Sequence, residues 1–185
     1  MMLPAIWWMT DERRLADPAP ALARLPRGAA VILRHYDAPG RERLAAKMAQ
    51  ACRRLGLVLV IAGSWRLAAA VNAAGLHLPD YREGPAPGAR LWRKRGRRIL
   101  TAAAHGPRGL ARAHAMEADA ALLSPVNATL SHPGGTVLGI TRAALMMRAA
   151  RMPVLALGGV GPRQLRALTG RGFAGVAGIG FALKD

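Results

Sequence analysis

Two glycine turns and a histidine carry the clearest chemical signals in this chain. Pro153-Val154-Leu155-Ala156-Leu157 runs into Gly158-Gly159-Val160, and a helix start follows at Pro162. An apolar run of this length between Pro and Gly suits a parallel strand covered on both faces. The two glycines let backbone N–H groups approach an anion, and the helix start behind them adds the positive end of a dipole. A second strand-like run, 172–180, also ends in glycines. Consecutive late strands with glycine turns are how a (β/α)8 barrel builds a phosphate site from the loops after strands seven and eight. A plain pair of tight strand-to-helix turns would use the same residues. His105 directly follows the apolar run 99–104. There it is placed either for proton transfer or for a structural hydrogen bond. His35 and His132 follow other such runs and could reach the same mouth. The three lie on separate loops without metal-ligand spacing, so no metal site is read from them.

Eight apolar runs would position these residues. Strands are predicted at 5–10, 29–34, 57–62, 75–78, 99–104, 119–124, 153–157 and 172–180. Helices are predicted at 39–55, 64–73, 106–117, 138–152 and 162–170, with a short one at 17–25 that has Asp17 as N-cap and Pro18 at its first position. Residues 79–98 lack regularity: 83–88 is loop-like, and 91–98 is a basic run that reads as a solvated face or an anion-attracting lip. Residues 125–135 form a long loop. Alternation of strand and helix argues for a parallel sheet, and eight units argue for closure. The fold class is therefore α/β, a compact (β/α)8 TIM barrel in a single domain over 1–185, below the ~250 residues typical of the fold. The helix after strand eight is expected to be short or missing. Apolar surface beside strands one and eight would then be bare, and a homodimer through that gap is the expectation.

Lys and Arg number 27 against 10 Asp and Glu, a net charge of +17. Anionic small molecules and nucleic acid are the natural partners of such a charge. The arginines are scattered through the predicted helices rather than concentrated with aromatic residues, so nucleic acid is not expected. Apolar residues make up 52% of the chain, yet no run approaches the roughly 18 residues of a membrane span. The apolar start lacks a basic flank, so neither a signal peptide nor an anchor is read. The single cysteine, Cys52, sits among helical residues and reads as a buried thiol. A cytoplasmic location is the expectation.

Several motifs stand in a telling order: Trp8-Met9-Thr10-Asp11-Glu12, Leu33-Arg34, Gly75-Leu76-His77-Leu78, Ala104-His105, Leu123-Ser124-Pro125-Val126 with Thr129 and Ser131, and Pro153 to Val160. Along nearly the whole chain this order resembles the thiamine phosphate synthase and TenI family of (β/α)8 barrels. The resemblance implies a synthase that joins hydroxymethylpyrimidine diphosphate to thiazole phosphate with loss of pyrophosphate, using Mg²⁺. It implies Arg34 and His105 as catalytic residues, and Thr129, Ser131, His132, Gly158, Gly159, Gly178 and Ile179 around the thiazole phosphate. In the TenI branch, a histidine at the position of His105 moves a proton on the thiazole ring without metal.

The chain departs from the family where the diphosphate and metal would bind. The family has Gln-x-Arg-x-Lys after the second strand, where Ile32, Arg34 and Tyr36 stand here. Ala62-Gly63 replaces Asn-Asp, Ala103 replaces a serine, and His132 replaces a loop lysine. The second metal-binding aspartate falls at Arg82, with Asp80 close by. The thiazole-phosphate half of the site is thus retained and the metal and diphosphate half is degenerate. A synthase would need arginines in place of the metal, with Arg34, Arg66 and Arg82 the candidates. The alternatives are a metal-free tautomerase using His105, and a non-catalytic binding protein whose basic surface meets nucleic acid or an acidic partner.

Overall fold

Eight short parallel strands close on themselves in a computed structural model that describes residues 2–80, 85–129 and 136–183. They are β1 (Ile6–Met9), β2 (Ala30–Leu33), β3 (Val58–Ala62), β4 (Gly75–Leu78), β5 (Ile99–Ala104), β6 (Ala120–Leu123), β7 (Val154–Leu157) and β8 (Gly175–Gly178). Each pairs with its neighbour in sequence, and β1 closes the ring on β8 through Trp8↔Gly178. Six helices lie between strands: α1 (Arg41–Leu55), α2 (Trp65–Ala70), α3 (Pro87–Gly96), α4 (Pro107–Ala115), α5 (Ile140–Ala149) and α6 (Leu165–Thr169). This is the expected (β/α)8 barrel.

The apolar runs have two buried faces, which is why they carry no polar side. Trp7, Met9, Ile32, Val60, Leu122 and Leu155 fill the barrel interior, with Ala30, Ala62, Ala120 and Ala177 leaving room for the indole. Trp8, Val31, Leu33, Leu59 and Ile61 alternate with them and face the helices. The buried Trp8 Nε1 donates to Ile179 O at 2.7 Å, tying β1 to the end of β8. α1 buries Ala45, Met48, Ala49, Ala51 and Cys52. Burial pushes the Cys52 thiol up to about 12, so it is an inert core group, as expected.

Three expectations need correction. The helix placed at 17–25 is a 3-10 turn at Pro20–Arg24. Asp17 Oδ1 accepts from Ala19 N at 3.2 Å just outside it. Pro20, which lacks an N–H, fits the first turn and sets a later start. The irregular stretch 79–98 contains α3. Its opening Pro87-Gly88 imitates a loop, and its four cations dilute the apolar period, yet Ala89 is buried and Trp92 packs against the core. Finally, the surface beside β1 and β8 is not bare. The turn at Gly180–Ala182 meets the one at Pro20–Arg24 there, with Leu22 and Ala182 fully buried and Arg24 Nη1 donating to Ala182 O at 2.8 Å. Two short turns cover what a final helix would have covered, and this removes the stated reason for a dimer.

Candidate active site

All strands finish at one end, and His105 stands there immediately after β5. Its side chain is 54% exposed, and Nδ1 lies 3.0 Å from Ser124 O and 3.1 Å from Ser124 Oγ at the end of β6. The carbonyl can only accept, so Nδ1 carries the proton of the neutral ring and Nε2 is left as the base. Asp80, just beyond β4, places Oδ2 at 3.6 Å from Nε2 while Arg112 of α4 holds its other oxygen. Arg112 thus fixes the carboxylate that faces the proton-accepting nitrogen.

On the β1–β2 side the groups are locked together. Arg34 donates from Nη2 to Asp11 Oδ2 at 2.9 Å and from Nε to Thr10 O at 2.8 Å. His35 does not face the mouth. It is buried, with Nδ1 at 2.9 Å from Thr10 Oγ1 and Nε2 at 3.0 Å from Leu15 O, which corrects the expectation that it could reach the site. Tyr36 stands where the resemblance calls for lysine, and the Arg41 guanidinium lies 5.5 Å from its ring centre. Arg41 Nη2 also donates to Ala62 O at 2.7 Å, at the end of β3. Arg66 is exposed on α2 and stacks on Trp65 at 5.1 Å.

The two glycine turns lie side by side. The pair Leu157↔Ala177 sets Gly158 level with Gly178. Gly158 and Gly159 both have positive φ, 89° and 60°. A side chain at Gly159 would collide with Ala128 O, and one at Gly158 would meet Pro125 Cα at 2.9 Å. Only glycine lets the loop after β6 lie this close. Asn127 joins the two loops, accepted by Gly158 O from its backbone N at 3.0 Å and by Gly159 O from Nδ2 at 3.1 Å. Thr129 is half-buried two residues further on, and Ile179 follows Gly178 at the rim. Ser131, His132 and Arg82 lie outside the described residues.

Three residues of this arrangement escaped the sequence reading. Arg112 and Arg41 sit on helices, and their spacing gives no hint of which side chain they reach. Asn127 had a signal, a polar amide directly after an apolar strand end, that fits bridging two loops.

The donor set does not fit Mg²⁺. Such an ion takes carboxylate oxygens in octahedral geometry, but Asp11 is held by Arg34 and Asp80 by Arg112. Among the described residues no three His, Cys, Asp or Glu side chains group together. His77 lies inside the barrel with Nδ1 at 2.9 Å from Thr101 Oγ1, away from any such role.

Eight parallel strands in a closed ring, with a histidine, paired charges and two glycine turns at their C-terminal ends, define a (β/α)8 protein with a polar mouth. The family model described as thiamine monophosphate synthase matches residues 10–181. The chain belongs to the thiamine monophosphate synthase and TenI family. The thiamine-phosphate synthase of Chlorobium luteolum is 31% identical over 98% of this chain and 86% of its own. That of Parasynechococcus marenigrum is 35% identical over 75% of this chain and 40% of its own. Among solved structures, thiamine phosphate pyrophosphorylase from Pyrococcus furiosus superposes with a TM-score of 0.74 at 21% identity, covering 95% of this chain and 85% of that one. At that identity the superposition speaks for the fold. No described helix is long and apolar enough to cross a membrane.

Proposed function

We propose that this chain serves thiamine biosynthesis by binding a phosphorylated thiazole at the barrel mouth and joining it to a pyrimidine diphosphate, with arginine in place of the metal. The observation that carries this reading is the pairing of two mouth acids, Asp11 and Asp80, with guanidinium groups. Relatives named thiamine-phosphate synthase support the reaction type. In that reaction the thiazole nitrogen forms a C–N bond to the exocyclic methylene carbon of the pyrimidine, and pyrophosphate leaves that carbon with the electron pair of the broken C–O bond. Its oxygens need cations placed in advance. Arg34 and Arg41, beyond β2, and Arg112, on α4 beside Asp80, are the chain's means of supplying these charges. The backbone of Gly158, Gly159, Gly178 and Ile179, with Thr129, Ser131 and His132, would hold the thiazole phosphate.

A second reading is favoured by one contact, His105 Nε2 facing Asp80. It is a metal-free tautomerase in which His105 takes a proton from the thiazole ring and returns it elsewhere on the ring. One experiment separates the two. Purified protein is given pyrimidine diphosphate and thiazole phosphate, with Mg²⁺ and again with excess chelator. Thiamine phosphate formed equally in both supports the synthase built on arginine. Product formed only with Mg²⁺ overturns the substitution. No product from folded protein removes the synthase reading, and ring-proton exchange lost on His105→Ala then establishes the tautomerase.

A further inference from the structure

The fold sorts acids that the sequence scatters. In a parallel barrel a residue's end of the molecule follows from whether it precedes or follows its strand. Asp11, Glu12, Asp37, Glu42 and Asp80 all lie beyond strand ends, at the mouth. At the opposite end the described acids are Glu117 and Asp119, and Arg93 engages both, at 3.7 and 3.0 Å. Cations crowd the same end. The loops that enter β2, β7 and β8 present Arg27, Arg151 and Arg171, and the last turn of α1, ahead of β3, presents Arg53 and Arg54, all exposed. The approach to β5 adds Lys94, Arg95 and Arg97, which have no acidic partner among the described residues. Arg98 is pinned beside them by Ala73 O at 2.6 Å and Asn72 Oδ1 at 2.7 Å, and stacks on Trp92. A cleft of about 470 Å³ opens between these residues, Leu3 and Pro153.

Cations spread over the approaches to five strands match a series of anions rather than one. Guanidinium forks suit phosphate oxygens in particular. Single strands are bound through exposed aromatic side chains that stack on bases. Here Trp92 is half-buried against Arg98, and the exposed large apolar residues, Met2, Leu91, Val137 and Leu145, include no aromatic ring. These four also sit on different elements, which does not suit insertion into a lipid surface. We propose that the end of the barrel opposite the mouth binds the phosphate backbone of double-stranded nucleic acid without reading its bases. Cations stand at both ends of the barrel, and the end opposite the mouth is the more basic because the described acids gather at the mouth.

The test is fluorescence anisotropy with a labelled DNA duplex over a range of NaCl concentrations. The expected result is binding whose log K falls linearly with log salt, at about 0.9 per phosphate neutralised. Lys94→Glu/Arg95→Glu at the end of α3 and, separately, Arg53→Glu/Arg54→Glu at the end of α1 should each weaken binding by about tenfold or more, with circular dichroism confirming the fold. Arg108→Glu/Arg142→Glu, at the mouth end of α4 and α5, makes the same change in net charge and should weaken it by no more than about twofold. Absence of duplex binding at low salt overturns the proposal, as do equal losses in all three variants. Tighter binding to anionic vesicles or to polyglutamate than to the duplex overturns it too.

Discussion

Asp80 lies between two side chains of different use, the Arg112 guanidinium on one oxygen and the ring of His105 on the other. If His105 moves a proton, its replacement removes chemistry and leaves the fold alone, because the ring is half exposed and makes its bonds to Ser124 from the outside. His105→Ala is expected to lower kcat by roughly 100-fold or more and to change stability by no more than about 0.5 kcal/mol. Asp80→Asn keeps the shape and the link to Arg112 but removes the carboxylate facing Nε2, so a smaller loss, of order tenfold, is expected. Turnover and thermal melts of the two variants check this. A melt lowered as much as turnover would make the histidine structural. His105 was legible because it ends an apolar run, and strand ends in a barrel share one mouth. Arg112 was not, since a helix surface shows which face is exposed but not which acid an exposed arginine reaches.

Elements differ in how firmly the sequence marks them. β4 and β5 have the predicted bounds because each is an unbroken buried run between residues that disfavour strands. The helix start at Ser64 was equally legible, and with the glycine turn after β7 it permits a paired test. Ser64 caps α2, its Oγ accepting from Leu67 N at 3.2 Å. Ser64→Ala should cost ~1 kcal/mol, about 2–4 °C in Tm for a chain of this size. Gly159→Ala should cost more, since its φ of 60° is strained for alanine by roughly 1–2 kcal/mol and the added methyl also collides with Ala128 O. Only the second should raise the KM for thiazole phosphate, by about tenfold, if the proposed phosphate site is correct, because the new methyl group displaces Ala128 and Asn127 in the loop after β6. Calorimetry and substrate titration of the two proteins distinguish a turn that merely closes the fold from one that also holds the ligand. Equal KM values would leave the Gly158-Gly159 turn with a structural role alone.

The whole barrel is built around a polar pair that a core of Trp7, Ile32 and Leu155 would not require: His77 with Thr101. The sequence showed His77 as part of a strand but gave no sign of its consequence, which depends on closure of the ring around it. Burial, with a smaller contribution from the charge of Arg34, pushes the His77 pKa down from the ordinary 6.5 to about 3. The folded chain therefore refuses a proton that the unfolded chain accepts. The stability this contributes is complete above pH 6.5 and is lost as pH falls toward 3, at up to ~1.4 kcal/mol per pH unit. The net charge of +17 grows on the same descent, and its self-repulsion adds to the loss. That second effect is common to any variant, which makes His77→Gln the informative one. It should start less stable at pH 7, having lost a packed ring, yet fall less steeply in urea unfolding measured at pH 7, 6, 5 and 4. A wild-type slope steeper by as much as one proton's worth assigns the acid limit of the fold to His77. Parallel slopes would assign it to charge repulsion over the whole surface.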